Sequence, residues 1–177
     1  MNDLDDPFDE EDDDASASTY LTFRVGPAEY ALPVLLVTEI VRLPPFFALP
    51  DVPDHVCGVV NLRGRVVPLM DLRRRFGLPQ QATTDRTVVV VAEVDQASTG
   101  LIVDGVADVV VLTELDTTTV QAGVGRSQLV QAVARRGEQV CFVLDPAALL
   151  APMERTPSAP TLPPTSPSPS GLSALSA

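Results

Sequence analysis

Between roughly residues 19 and 151 the apolar positions mostly follow the two-residue rhythm of strands. Tyr20, Thr22 and Arg24 alternate with Leu21, Phe23 and Val25, and Gly26-Pro27-Ala28 then turns the chain into EYALP, which predicts a hairpin. The stretch Thr87 to Val94 (TVVVVAEV) has six β-branched residues in eight, which suits a strand buried on both faces. In GLIVDGVADVVVL, from Gly100 to Leu112, Asp104 and Gly105 stand between two β-branched arms. That is the strongest short hairpin signal in the chain, and it predicts two paired antiparallel strands. A further hairpin is expected where GVVN leads into LRGR and VVPL: Gly64 supplies the positive φ of a tight reversal, and Val59, Val60, Val66 and Val67 fill the arms. Pro68 cannot donate to a ladder, so its strand should lie at an edge or bend there.

Helical signals are fewer. Asp71 is placed to cap LRRRFG, where Leu72 and Phe76 lie four apart and Gly77 ends the turn. Asp145, with Pro146 at the first helical position, opens PAALLA. VLLVTEIV, after Pro33, fits either state: Val34, Val37 and Val41 share a helical face, while its β-branching favours a strand. The pattern predicts about eight to ten short strands with two or three short helices, a mainly β barrel or sandwich.

Charge changes this picture only at the ends. Nine of the 24 acidic residues fall within residues 1–14, which contain no base. With only Leu4 and Phe8 as sizeable apolar groups, residues 1–18 are expected to form a disordered acidic tail. Seven of the last 26 residues are proline and six are serine, so residues 152–177 are expected to form a second disordered tail flanking a domain over 19–151. The domain is close to neutral, which removes any electrostatic argument for nucleic-acid binding. All 12 bases are arginine. The two cysteines lie far apart and the acidic N-terminus lacks the features of a secretory signal, so a soluble, cytoplasmic protein is expected. No apolar run approaches the roughly 20 residues of a membrane span, so no direct membrane insertion is expected.

Catalytic chemistry finds little material. His55 is the chain's single histidine. Together with Cys57 and either Asp51 or Asp54 it could supply part of a zinc site, but a chain simply entering a strand is the favoured reading. Cys57 and Cys141 read as small core hydrophobes. Gly123 and Gly125 lack the Lys-Ser/Thr pair of a phosphate loop and read as a flexible turn. Asp104 reads as a turn former and Asp108 as solvent-facing, rather than as an acid-base pair. Arg73, Arg74 and Arg75, at helical spacing, should fan out over a solvated face without the interleaved aromatics that single-stranded nucleic acid needs. No catalytic residue, metal or cofactor is assigned.

One segment is far more specific. GVVNLRGRVVPLMDLRRRFGLP, from Gly58 to Pro79, resembles the characteristic hairpin of CheW-like domains, the coupling proteins of bacterial chemotaxis, at every fixed position of the pattern G-V-x-N-x-R-G-x-x-x-P-x-x-D-L-R-x-x-[FL]-G. The opening strand YLTFRVGPAEYALP, the V-x-E-I element from Val37 to Ile40, VDGVADVV from Val103 to Val110 and the closing VCFVLDPAALL follow the same family order. The resemblance covers about residues 19–151. It implies two small SH3-like five-stranded β-barrels sharing an apolar core, and a noncatalytic adaptor between a chemoreceptor's cytoplasmic tip and the regulatory domain of a CheA-type histidine kinase.

Carried over position by position, the resemblance puts partner binding at Glu39, Gly58, Asn61, Arg63 and Gly64, with Val37, Ile40, Val59 and Val60 as apolar contacts at the groove between barrels. A helical hairpin needs an aliphatic groove, and Arg63 would offer a planar guanidinium at its rim. Each position also has a plain alternative: Val59, Val60 and Ile40 as interior core, Gly58 and Gly64 as backbone devices, Glu39 as a solvated charge. Recruitment to membrane receptor arrays follows from the implied role. Between Thr113 and Gln139 the chain departs from the family pattern and only LVQAV reads clearly as a strand, so the second barrel is expected to be trimmed or altered. Alternative functions are a scaffold or cap in another receptor-kinase circuit such as surface motility, and a small metal-dependent hydrolase built on His55 and Cys57.

Overall fold

The structure, a computed structural model, describes residues 18–113, 117–119 and 128–151. The Pro/Ser-rich tail, the Gly123–Gly125 turn and all of the acidic tail except Ser18 lie outside the described residues. Ser18 is already in a strand, paired with Leu112.

The elements in chain order are β1 (Ser18–Val25), β2 (Ala28–Pro33), a 3-10 turn (Val34–Leu36), β3 (Val37–Arg42), β4 (Val56–Leu62), β5 (Arg65–Asp71), α1 (Leu72–Arg75), β6 (Val88–Val94), β7 (Ala97–Val103), β8 (Gly105–Leu112), β9 (Thr117–Thr119), β10 (Val130–Arg136), β11 (Gln139–Leu144) and α2 (Pro146–Leu150). They form two sheets, in the orders β8-β1-β2-β11-β10-β9 and β3-β6-β7-β5-β4. This is the mainly β architecture the pattern predicts. The first sheet gains its sixth strand because the three-residue β9 adds to β10, the LVQAV strand.

Each sheet is apolar on both faces. In β6 the side chains alternate: Val90 and Ala92 enter the core between the sheets, and Val89 and Val91 enter a second cluster with Val60, Val67 and Leu69. All four are at most 2% exposed, as the doubly buried strand requires. The first sheet has its own second cluster, of Ala31, Val110, Leu112, Ala134, Cys141 and Val143. The central core is closed by both helices, through Leu72, Leu149 and Leu150. Each of these helices is shorter than two turns and holds its place by capping and burial. Asp71 Oδ1 accepts from the Arg73 N–H at 2.8 Å, and Asp145 Oδ1 from the Ala147 N–H at 3.0 Å. Full burial of each leucine contributes about 1.5–3 kcal/mol.

The segment VLLVTEIV divides: its first three residues make the 3-10 turn, and its β-branched remainder pairs with β6.

Three expectations are corrected. Asp104-Gly105 does not form a hairpin. β7 already has β6 and β5 on its two edges, so β8 passes to the other sheet and pairs with β1. Gly105 accordingly does not take the positive φ of a hairpin turn. The reversal after β6 is instead made by Asp95 and Gln96, both at positive φ (50° and 66°), a turn the sequence did not announce. Second, Pro68 lies in an interior strand. Opposite it, Val59 spends its N–H and C=O on Phe47, and pairing of β5 with β7 begins only at Leu69, so no ladder partner is missed.

The third correction concerns the arginine run. Only Arg74 of the three is exposed. Arg73 is clamped to Asp104, and Arg75 is half-buried with its Nε enclosed and unpartnered.

Candidate docking surface

The hairpin of β4 and β5 closes at the pair Leu62–Arg65, leaving a two-residue turn of Arg63 (φ 52°) and Gly64 (φ 84°). Two successive positive φ values match the right-handed twist of the arms, as a type I′ turn does. Asn61 Oδ1 accepts from the Gly64 N–H at 2.8 Å and secures the turn from its own strand. A glycine takes this conformation freely; an arginine does so at a cost of about 1–2 kcal/mol. The turn thus spends backbone strain at the residue it displays most, since the Arg63 side chain is 85% exposed.

Arg63 reaches across to Glu39 on β3, N to O at 3.5 Å. β3 and β4 are the two edge strands of their sheet, so this contact draws the edges together. The chain leaving β3 does the same: Phe47 bridges to Val59, with N–H to O distances of 2.9 and 2.8 Å in the two directions. Gly58 makes that bridge possible. Its φ is 150°, and a Cβ there would lie 2.0 Å from the Phe47 carbonyl oxygen.

The expected site residues divide by face. Val60 and Val67 oppose each other inside the sheet's own cluster, and Val60 is 3% exposed. Val60 is therefore core, not an available contact. Its neighbours Val59 and Asn61, with their partners Pro68 and Val66, lie on the sheet's other face, the one that carries Met70 into the central core, beyond the covered part of that core. Phe47, opposite Val59, shares that face. Phe47 is 75% and Val66 69% exposed, and sequence reasoning missed both. Two adjacent phenylalanines in the proline-flanked loop PPFFALP were the available signal for the first.

On β3, Ile40 lies opposite Val90 and Val37 opposite Ala92, both members of the central core, so Val37 and Ile40 face the space between the sheets. Val37 packs on that core, while Ile40 remains 43% exposed. On the edge strand β8, Val109 lies opposite the core residue Leu21, so it too faces that space, and Val111 two residues on shares its side. They are 53% and 61% exposed. The inter-sheet face is thus left uncovered at both β3 and β8.

His55 and Cys57 stand at the start of β4. Among the described residues no three His, Cys, Asp or Glu side chains are grouped closely enough to hold a metal ion. The His55 carbonyl accepts from the Asp71 N–H at 2.8 Å, tying the entry of β4 to the end of β5. Burial, then the nearby Arg75 charge, lowers the imidazole pKa below its ordinary value. Burial and the Asp71 carboxylate raise the Cys57 thiol, the reverse of nucleophile activation.

The family model of the CheW-like domain matches residues 19–153. The chain is 34% identical over 126 residues to the chemotaxis protein CheW of Rhizobium meliloti, covering 70% of this chain and 81% of that one. It is 30% identical over 132 residues to the chemotaxis protein CheW of Bacillus subtilis, covering 73% and 85%. The crystal structure of scaffolding protein TtCheW from Thermoanaerobacter tengcongensis has the same fold, with a TM-score of 0.70 at 23% identity over 76% of this chain and 88% of that chain. No described helix is long and apolar enough to cross a membrane. Fold, hairpin and relatives agree: the chain belongs to the CheW-like family, alongside these chemotaxis proteins.

Proposed function

We propose that this protein is an adaptor that couples the cytoplasmic tip of a chemoreceptor to the regulatory domain of a CheA-type histidine kinase, and is recruited to receptor arrays through those contacts. The observation that carries this reading is the Arg63 turn: a strained, exposed guanidinium set beside Glu39, next to an apolar face of Phe47, Val59 and Val66. Such a face suits a protein partner better than a small molecule, with aliphatic and aromatic contacts supplying affinity and the charged pair setting register.

The uncovered inter-sheet face is the second element. Ile40, Val109 and Val111, with Val37 packed at their edge, present aliphatic surface of the kind an amphipathic helical hairpin lays its apolar stripe against. In this reading Glu39, Asn61, Arg63 and Gly64 form the polar rim, Gly58 holds the rim in place, and Val60 supports it from within. The scaffold changes kinase output only through different affinities for the kinase's two states. The test is capture by purified kinase and by receptor fragment of the Arg63→Glu chain. Loss of capture by at least one partner, with an unchanged circular-dichroism spectrum, is expected; full capture by both rejects the reading.

A further inference from the structure

At the β7–β8 corner lies an open polar cleft of about 790 Å³ lined by Arg24, Arg73, Arg86 and Arg136, four of the chain's 12 arginines. Its acids are Glu29, Asp104 and Asp108. Two of the arginines are committed: Arg73 to Asp104 at 2.6 Å and Arg136 to Asp108 at 3.3 Å. Arg24 and Arg86 are exposed and make no ion pair among the described residues.

These two stand on either side of a gap. Arg24 is paired in register with Gly105, and a Cβ built on Gly105 would lie 3.5 Å from the Arg86 carbonyl oxygen. A glycine with no side chain therefore lies between two exposed arginines, with Gly26 beside it and Glu29 opposite Arg24 across the β1–β2 ladder.

We propose that this cleft is the docking site of the chain's own acidic N-terminal segment, at its residues 3–11. Charge complementarity argues for it: residues 3–11 hold six acids and no base, and the cleft holds two exposed arginines outside its ion pairs, Arg24 and Arg86. Geometry permits it. The segment continues directly into β1, the strand that carries Arg24. Ser18 and Arg24 are about 20 Å apart along that strand. Asp9 lies nine residues before Ser18, a reach of about 30 Å when extended.

A few exposed ion pairs are individually too weak for tight capture of a free peptide. Tethering raises the effective concentration to the millimolar range, where such weak contacts are populated. The contact is screened by salt, because the Debye length falls to about 3 Å at 1 M. A free polyanion would face the same two arginines and three acids without the tether, and is the weaker occupant.

The test follows the backbone amide resonances of the full-length protein between about 20 mM and about 500 mM sodium chloride. The amides of Arg24, Gly26, Arg86 and Gly105 are expected to move with salt. In a full-length variant whose nine acids in residues 3–14 are replaced by Asn and Gln, those amides are expected to stay at the high-salt positions. In a variant carrying Arg24→Gln and Arg86→Gln, the movement of Gly26 and Gly105 is expected to fall by about threefold or more. Identical salt responses in the wild-type and neutral-tail chains overturn the proposal. A displacement that grows with protein concentration also overturns it, since the segment then belongs to a second copy.

Discussion

Arg63 and Arg73 both belong to the hairpin pattern and stand ten residues apart, yet the fold uses them in opposite ways. Arg63 tops a two-residue turn, 85% exposed, with one loose ion pair at 3.5 Å. Arg73 is 14% exposed, its Nε and Nη2 on the two oxygens of Asp104 at 2.7 and 2.6 Å. A third bond fixes the same carboxylate, from the Gly26 N–H at 2.7 Å. That corner ties α1, the β1–β2 turn and the β7–β8 crossover together, so the bidentate pair serves the fold. The Arg63 turn adds to the domain only that exposed ion pair between the sheet's edges. The difference teaches that residue type and motif membership do not assign a role; exposure and partner geometry do.

The comparison can be tested at its base first. Gly58→Ala should be the most damaging change at the docking end, about 3 kcal/mol in urea unfolding, because the added methyl overlaps the Phe47 carbonyl and the backbone keeps a φ that side chains rarely adopt. A loss below about 1 kcal/mol would mean the Phe47 bridge is dispensable.

Next in size is Asp104→Asn, expected to cost about 2 kcal/mol by leaving a mostly buried guanidinium without its charged partner. Its pH dependence gives an independent reading. Burial works to raise the Asp104 pKa, but the Arg73 hydrogen bonds, the Gly26 N–H and the Arg73 charge together hold it below the usual value. A depressed folded pKa contributes stability that is fully present above about pH 4 and lost as the pH falls through the folded value. The wild type should therefore lose more stability than the Asp104→Asn chain on acidification below about pH 4. Parallel profiles would remove the corner's electrostatic role.

For Arg63→Glu, the expected change in stability is within about 0.5 kcal/mol, since an exposed pair at 3.5 Å contributes little to folding. A destabilisation comparable to that of Asp104→Asn would erase the distinction between the two arginines. Smallest of all, deletion of residues 1–14 should change stability by less than about 0.3 kcal/mol, because that segment offers only Leu4 and Phe8 for burial and exposed charge contributes little to folding. A larger shift in melting temperature would require an apolar contact that its composition does not suggest.

Local chemistry was readable wherever it is settled by neighbours in sequence. The caps at Asp71 and Asp145, the β1–β2 hairpin, the NLRG turn and the doubly buried β6 all follow from side-chain spacing, glycine placement and β-branching. The Asp104-Gly105 turn misled for a definite reason. A dipeptide can favour a reversal, but pairing needs a free strand edge, and both edges of β7 were already taken by strands distant in sequence. The same competition placed a hairpin at Asp95-Gln96, which lacks glycine altogether.

By itself the sequence determined a mainly β domain, its family and the arginine turn, because these depend on short-range pattern and motif. Only the tertiary structure decided which valine of GVV takes which face of the sheet, since that follows from strand register: Val60 enters the sheet's own cluster and Val59 takes the opposite face. It also decided which arginines are spent and which remain available. Asp104 reaches Arg73 across 31 positions of chain, and Glu39 reaches Arg63 across a sheet, pairings that sum many weak packing preferences and have no local signature.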